Sequence, residues 1–170
     1  GMATIMGGIN YVTTVIRHRA PGMTWMRLPL TIWGLWLTAI LNVLFVPVLG
    51  SAAVLLLLDR LFGTQFFIAG AASVKGGGDP ILFQHLFWIF GHPEVYVLAL
   101  PGMGIVLEFL PVFARKPLWG YRTAVVGLFG VALLSWFVWQ HHLFVSGIAP
   151  VLRPFYMLST EIISIPTGFI

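Results

Sequence analysis

The chain contains no cysteine and has very little charge, with five acidic and nine basic side chains making up 8% of its 170 residues. Without cysteine, disulfides and thiolate metal sites are excluded, so any bound metal must be held by nitrogen or oxygen. An ordinary soluble domain carries roughly 25% charged residues, and a chain this poor in charge cannot cover its own surface in water. The formal net charge is +4, but the nine basic residues are scattered over short loops. They form no contiguous or aromatic-interleaved stripe, which excludes a nucleic-acid partner. No secretory signal pattern opens the chain. No internal repeat, low-complexity tract or composition shift divides it, so residues 1–170 read as a single membrane domain.

What is present is apolar: 59% of the residues are hydrophobic and the mean hydropathy is +0.97. The composition indicates an all-α, polytopic transmembrane helix bundle of about five helices embedded in lipid. The clearest segment is the uncharged run from Leu28 to Leu58, well beyond the ~20 residues that cross a bilayer. A second begins at "GGGDPILF", where Asp79 can cap and Pro80 suits a first helical turn, and continues to about Phe113. A third spans about Thr123 to Val145. The terminal segments, Gly1 to Ile16 and Phe155 to Ile170, are apolar but short, as if the chain were an excerpt cut inside helices. Arg17, Arg19, Arg27, Arg115, Lys116 and Arg122 fall in the first and third loops, against Arg60, Lys75 and Arg153 in the second and fourth. The positive-inside rule puts the first and third loops in the cytoplasm. Trp25, Trp119 and Tyr121 near these loops suit an interfacial belt.

Ionisable groups inside such segments are expensive unless paired, hydrated or bound to a metal, which makes them informative. They are His85, His92, Glu94, Glu108, His141, His142 and Glu161. In "FWIFGHPEVYVLALPG" Pro93 removes a backbone donor in mid-helix, and His92 and Tyr96, four residues apart, share one helix face. Glu94 points to another. In "FVWQHHLFVSG" two histidines are adjacent; successive residues on an α-helix diverge by about 100°, so both can reach one ion only in a cleft beside them or on a distorted turn. Antiparallel neighbouring helices would bring His92, His141 and His142 to similar depths. Three neutral imidazoles suit copper or zinc and leave a position open for a small molecule. The alternative is a kinked helix whose histidines are bonded to backbone or to one another. His85, about 10 Å along the helix from His92, reads as a packing or water-chain residue.

Taken together, "GGGDPILFQHLFWIFGHPEVYVLALPG", "FVWQHHLFVSG" and "ISIPTG" resemble subunit I of the haem-copper oxidases, in particular its cytochrome c oxidase-type branch, and the similarity covers essentially the whole chain. The resemblance implies helices four to eight of a twelve-helix subunit. It implies that His92, His141 and His142 are the ligands of copper B, and that Tyr96 is the tyrosine covalently joined to the first of them. It places Trp88 beside the binuclear centre, Val95 on the approach of dioxygen, Glu94 at the inner end of one proton channel and Thr167 in a second. It implies haem a and haem a3 or their equivalents, with axial ligands on helices outside this chain. Implied partners are the rest of subunit I, subunits II and III, cytochrome c or quinol, and membrane lipid. The implied location is a bacterial inner membrane, with the mitochondrial inner membrane second.

The sequence also departs from the family pattern. The second-channel lysine is replaced by Ile170, and a channel serine by Leu107. Glu108 and Glu161 are carboxylates in unexpected places and are candidate proton carriers. The loop "FIAGAASVKGGGDP" is longer than the family norm, and "GIAPVLRPFY" lacks the usual acidic residues. A quinol oxidase would share every residue named. A nitric oxide reductase would lack Tyr96. A non-redox membrane copper-binding or assembly relative would have no use for a tyrosine one turn after a ligand.

Overall fold

Helix formation begins where the sequence signals it. Asp79 Oδ1 accepts a hydrogen bond from the Ile81 N–H at 2.9 Å and Pro80 occupies the first turn, so the freed amide of the helix start is satisfied by a side chain. The computed structural model describes residues 1–69 and 77–170; Lys75 and most of the long loop before Asp79 lie outside the described residues. Among the described residues the chain is helical and has no strand. Helices α1 (Met2–Arg17), α2 (Leu30–Phe62), α3 (Pro80–Ala114), α4 (Tyr121–Leu134), α5 (Arg153–Ile162) and α6 (Ser164–Thr167) are joined by loops and 3₁₀ turns. Helices α2 and α3 are long and apolar enough to cross a membrane.

The main seam runs between α2 and α3, and glycine makes it possible. A Cβ on Gly34 would sit 2.4 Å from the Leu100 carbonyl oxygen, and one on Gly104 would sit 2.6 Å from that of Leu30. Two backbones therefore touch where only hydrogen fits, as small residues allow in membrane bundles. Around this contact Leu30, Leu37, Leu41, Leu100 and Leu107 close a core with Val125, Leu128 and Val131 of α4. Helix α1 lies on α2 through Gly8, whose Cβ would meet Val43 and Ala39.

Three prolines interrupt α3 without ending it. Pro101 has no N–H for the carbonyl of Val97, one turn back. Thr38 on α2 supplies the missing donor, its Oγ1 lying 3.2 Å from Val97 O. A neighbouring helix thus repairs the defect, which is how lipid-embedded helices tolerate proline.

Two segments differ from their sequence reading. The run expected from Thr123 to Val145 is helical only to Leu134, after which it continues as 3₁₀ turns at Ser135–Phe137 and Trp139–Leu143. Buried Ser135 bonds back to the Ala132 carbonyl at 2.6 Å, competing with the helical ladder at the point of the break. The Phe137 carbonyl accepts instead from Ser159 Oγ of α5 at 2.8 Å. The final segment is likewise divided at Ile163. Pro166 cannot donate to the turn behind it, and its ring and carbonyl seat against Gly127 and Gly130 of α4.

Candidate metal centre

His92 stands on α3, buried, immediately before Pro93. Tyr96, one turn later, presents its ring 4.9 Å from the imidazole in an edge-on arrangement, as expected of two residues on one helix face. The 3₁₀ turn Trp139–Leu143 carries His141 and His142. The break after Leu134 lets both rings turn toward α3, so that His141 Nε2 lies 3.1 Å from His142 Nε2 and His92 Nδ1 lies 3.2 Å from His142 Nε2. One nitrogen from each of the three rings falls within 4.8 Å of the others. Of the two geometries open at the sequence level, the distorted turn is the one found.

Surrounding groups hold the rings. Trp88 stacks on His142 with centroids 3.7 Å apart and planes within 7°. His141 Nδ1 faces Thr160 Oγ1 of α5 at 3.0 Å, and that hydroxyl lies 2.6 Å from the Tyr156 carbonyl oxygen. Thr160 was not singled out by the sequence; a threonine in an apolar run carries no periodic signal, and only the packing of α5 against the 3₁₀ turn reveals it. His85 packs edge-on against Trp139 at 5.5 Å and stands outside the cluster.

The remaining sequence candidates lie elsewhere. Glu94 is half-buried and Val95 is 49% exposed on the flank of α3. Thr167 is exposed and bonds back to the Ile163 carbonyl at 2.8 Å. Glu108 is on α3 beyond the Gly104 contact, ~24 Å from His92 by helix rise, and its carboxylate accepts a hydrogen bond from Thr31 Oγ1 of α2. Glu161 follows Thr160 on the exposed face of α5. Leu107 belongs to the apolar core, and Ile170 packs against it.

The donor set can be tested against a metal ion. Metal–nitrogen bonds of ~2.0–2.1 Å at tetrahedral angles place ligand nitrogens ~3.3 Å apart, close to the 3.1 and 3.2 Å separations found here. Three uncharged nitrogens with no carboxylate among them suit copper or zinc. The other ring nitrogen of His92, Nε2, is buried with no hydrogen-bond partner among the described residues, so His92 is not held in place by polar contacts behind it. The residues fit a three-histidine metal site.

Fold and centre together define a class: a membrane helix bundle with a three-histidine cluster set between one long helix and the broken end of another. The chain belongs to the cytochrome c and quinol oxidase polypeptide I family, whose model matches residues 1–170, a family of haem and copper proteins. It is 50% identical to an alternative cytochrome c oxidase subunit 1 of Bradyrhizobium diazoefficiens over 168 residues, covering 96% of this chain and 28% of that protein. It is 44% identical to cytochrome c oxidase subunit 1 of Cereibacter sphaeroides and 45% to that of Bacillus subtilis, covering 99% of this chain in each and 29% and 26% of those proteins. The chain thus spans under a third of the length of the curated relatives it matches.

Proposed function

We propose that this chain is part of the catalytic subunit of a terminal respiratory oxidase that takes electrons from cytochrome c, reduces dioxygen to water and couples this to proton translocation across a bacterial inner membrane. The observation that carries the reading is the convergence of His92, His141 and His142 with Tyr96 one turn behind the first. Relatives named cytochrome c oxidase subunit 1, all three from bacteria, favour cytochrome c over quinol as donor.

His92 through Nδ1, and His141 and His142 through Nε2, hold copper B. Copper bound there would supply a one-electron centre, and the residues that would hold the haems belong to the rest of the subunit. Trp88 fixes the plane of His142. Tyr96 would supply one electron and the proton on Oη, with the haem iron and copper supplying the other three of the four electrons that dioxygen needs, so that no partly reduced product is released. Its link to His92 is supported by the direct contact of the two rings and by the partnerless Nε2. Glu94, two residues from His92, carries protons to the centre through its carboxyl group. Val95 lines the approach of dioxygen.

Protons for the second route pass groups other than the family's lysine and serine, since Ile170 and Leu107 are packed in apolar surroundings. Glu108, Glu161 and Thr167 are its candidate carriers. Subunits II and III, the rest of subunit I and lipid cover the faces that this chain leaves exposed.

The test is mass spectrometry of the assembled, copper-loaded oxidase. A peptide joining His92 to Tyr96 is expected, together with loss of dioxygen reduction in Tyr96→Phe. An active oxidase without the joined peptide overturns the role given to Tyr96.

A further inference from the structure

We infer that Thr160 is a positioning residue that fixes the tautomer of His141 and so aims the Nε2 lone pair into the three-histidine cluster. The inference rests on the metal-site reading above and extends it to a residue on α5 that touches neither the ion's place nor substrate.

The argument is one of hydrogen counting. The Thr160 hydroxyl has a single hydrogen and two polar neighbours, the Tyr156 carbonyl oxygen at 2.6 Å and His141 Nδ1 at 3.0 Å. A carbonyl oxygen cannot donate, and two oxygens that close require a hydrogen between them. The hydroxyl hydrogen therefore goes to Tyr156 O. What remains toward His141 is an oxygen lone pair, and the only favourable contact is Nδ1–H donating to Oγ1. With the proton on Nδ1, the neutral ring carries its lone pair on Nε2, the atom 3.1 Å from His142 Nε2.

The three histidines are not held alike. His142 is fixed by stacking on Trp88, and the outer nitrogen of His92 has no partner among the described residues. Among the described residues, His141 alone of the three has its outer nitrogen tied to a side chain of another helix, itself anchored one turn back on α5. Such outer partners orient a ligating imidazole and raise its basicity, and their loss typically lowers metal affinity 10–100-fold.

The test uses the assembled oxidase and reads copper retention against a chelator, with the haem spectrum as a control for assembly. Thr160→Val removes the hydroxyl at nearly constant volume and is expected to weaken copper retention by about 10–100-fold. Thr160→Ser keeps the hydroxyl and is expected to restore it. In infrared spectra with labelled histidine, the Nδ1-protonated, metal-bound imidazole signature should be present in the unsubstituted and serine forms and diminished in the valine form. A valine variant that keeps copper as tightly as the unsubstituted enzyme overturns the role of Thr160 while leaving the metal site standing. An unsubstituted oxidase that contains no copper overturns the metal site itself. If the valine variant does not assemble, the unsubstituted spectrum decides: a signature from Nδ1-protonated His141 supports the inference, and one from Nε2-protonated His141 overturns it.

Discussion

The seam between α2 and α3 and the corner that holds the histidines solve opposite problems with the same helices. At the seam, Gly34 and Gly104 bring backbones into contact and the side chains around them are apolar. At the corner, α4 gives up its α-helical winding and three imidazoles, a tryptophan, two hydroxyls and a tyrosine fill the space. In lipid the first arrangement gains from close packing, whereas the second is tolerated where groups freed by the irregular turns find partners on neighbouring helices. Ser159 on the Phe137 carbonyl and Thr160 on His141 are such partners. Regular packing provides the frame, and the break in it provides the site.

The largest effect expected from breaking this contrast is at the corner. His142→Ala removes the ring whose Nε2 approaches both other histidines; copper content should fall to background and dioxygen uptake by ~10³-fold or more, while the haem spectrum survives. The complementary break is at the seam. Gly104→Val puts a branched side chain where even a Cβ lies 2.6 Å from backbone. Overpacking of this kind costs about 1–3 kcal/mol or more, so thermal denaturation of the oxidase should shift down, and the three-histidine geometry should be lost only as assembly is lost. A Gly104→Val enzyme that is stable but copper-free would show that the two regions are coupled more tightly than this division allows.

The two regions were also unequally legible in the sequence. Hydrophobic run length, the Asp79 cap and the "HPEVY" spacing were enough to place α2, α3 and the shared face of His92 and Tyr96, because each depends on neighbours in the chain. The end of α4 was not legible. From Thr123 to Val145 the sequence keeps the composition of a helix, and the break depends on Ser159 arriving from α5 to satisfy the Phe137 carbonyl. That is a fact of packing. Thr160 was invisible for the same reason, whereas Glu108 was noticed as a costly charge but its partner, Thr31, is seventy-seven positions away. Ile170 and Leu107 stand in the sequence as missing polar groups; in the structure Leu107 lies in the apolar core and Ile170 packs against it.

A smaller effect is expected at Trp88, which belongs to the corner but makes no polar contact in it among the described residues. Trp88→Leu keeps an apolar side chain and removes the parallel stack on His142. Aromatic pairs of this kind contribute about 0.5–1.5 kcal/mol beyond burial, which corresponds to a loss of copper retention of up to about tenfold. The chelator assay used for Thr160 reads it directly. A larger loss would mean that the stack, and not the winding of the turn, sets the direction of His142.

The smallest effect expected is at Ser135, and it separates local from tertiary causes of the break. If the hydroxyl bonded to Ala132 were the sole cause, Ser135→Ala would let α4 continue through Trp139 and carry His141 and His142 out of register with His92. A tertiary contact opposes this: Ser159 holds the Phe137 carbonyl at 2.8 Å, so a continuing helix would have to give up that bond to α5. Ser135→Ala is therefore expected to cost only the net value of one hydrogen bond, about 0.5–1.5 kcal/mol, with copper content unchanged. Ser159→Ala leaves a main-chain carbonyl of the break without its donor and should cost more, about 1–3 kcal/mol. The reverse order, measured by thermal denaturation of the two variants, would place the cause of the break in the local sequence after all.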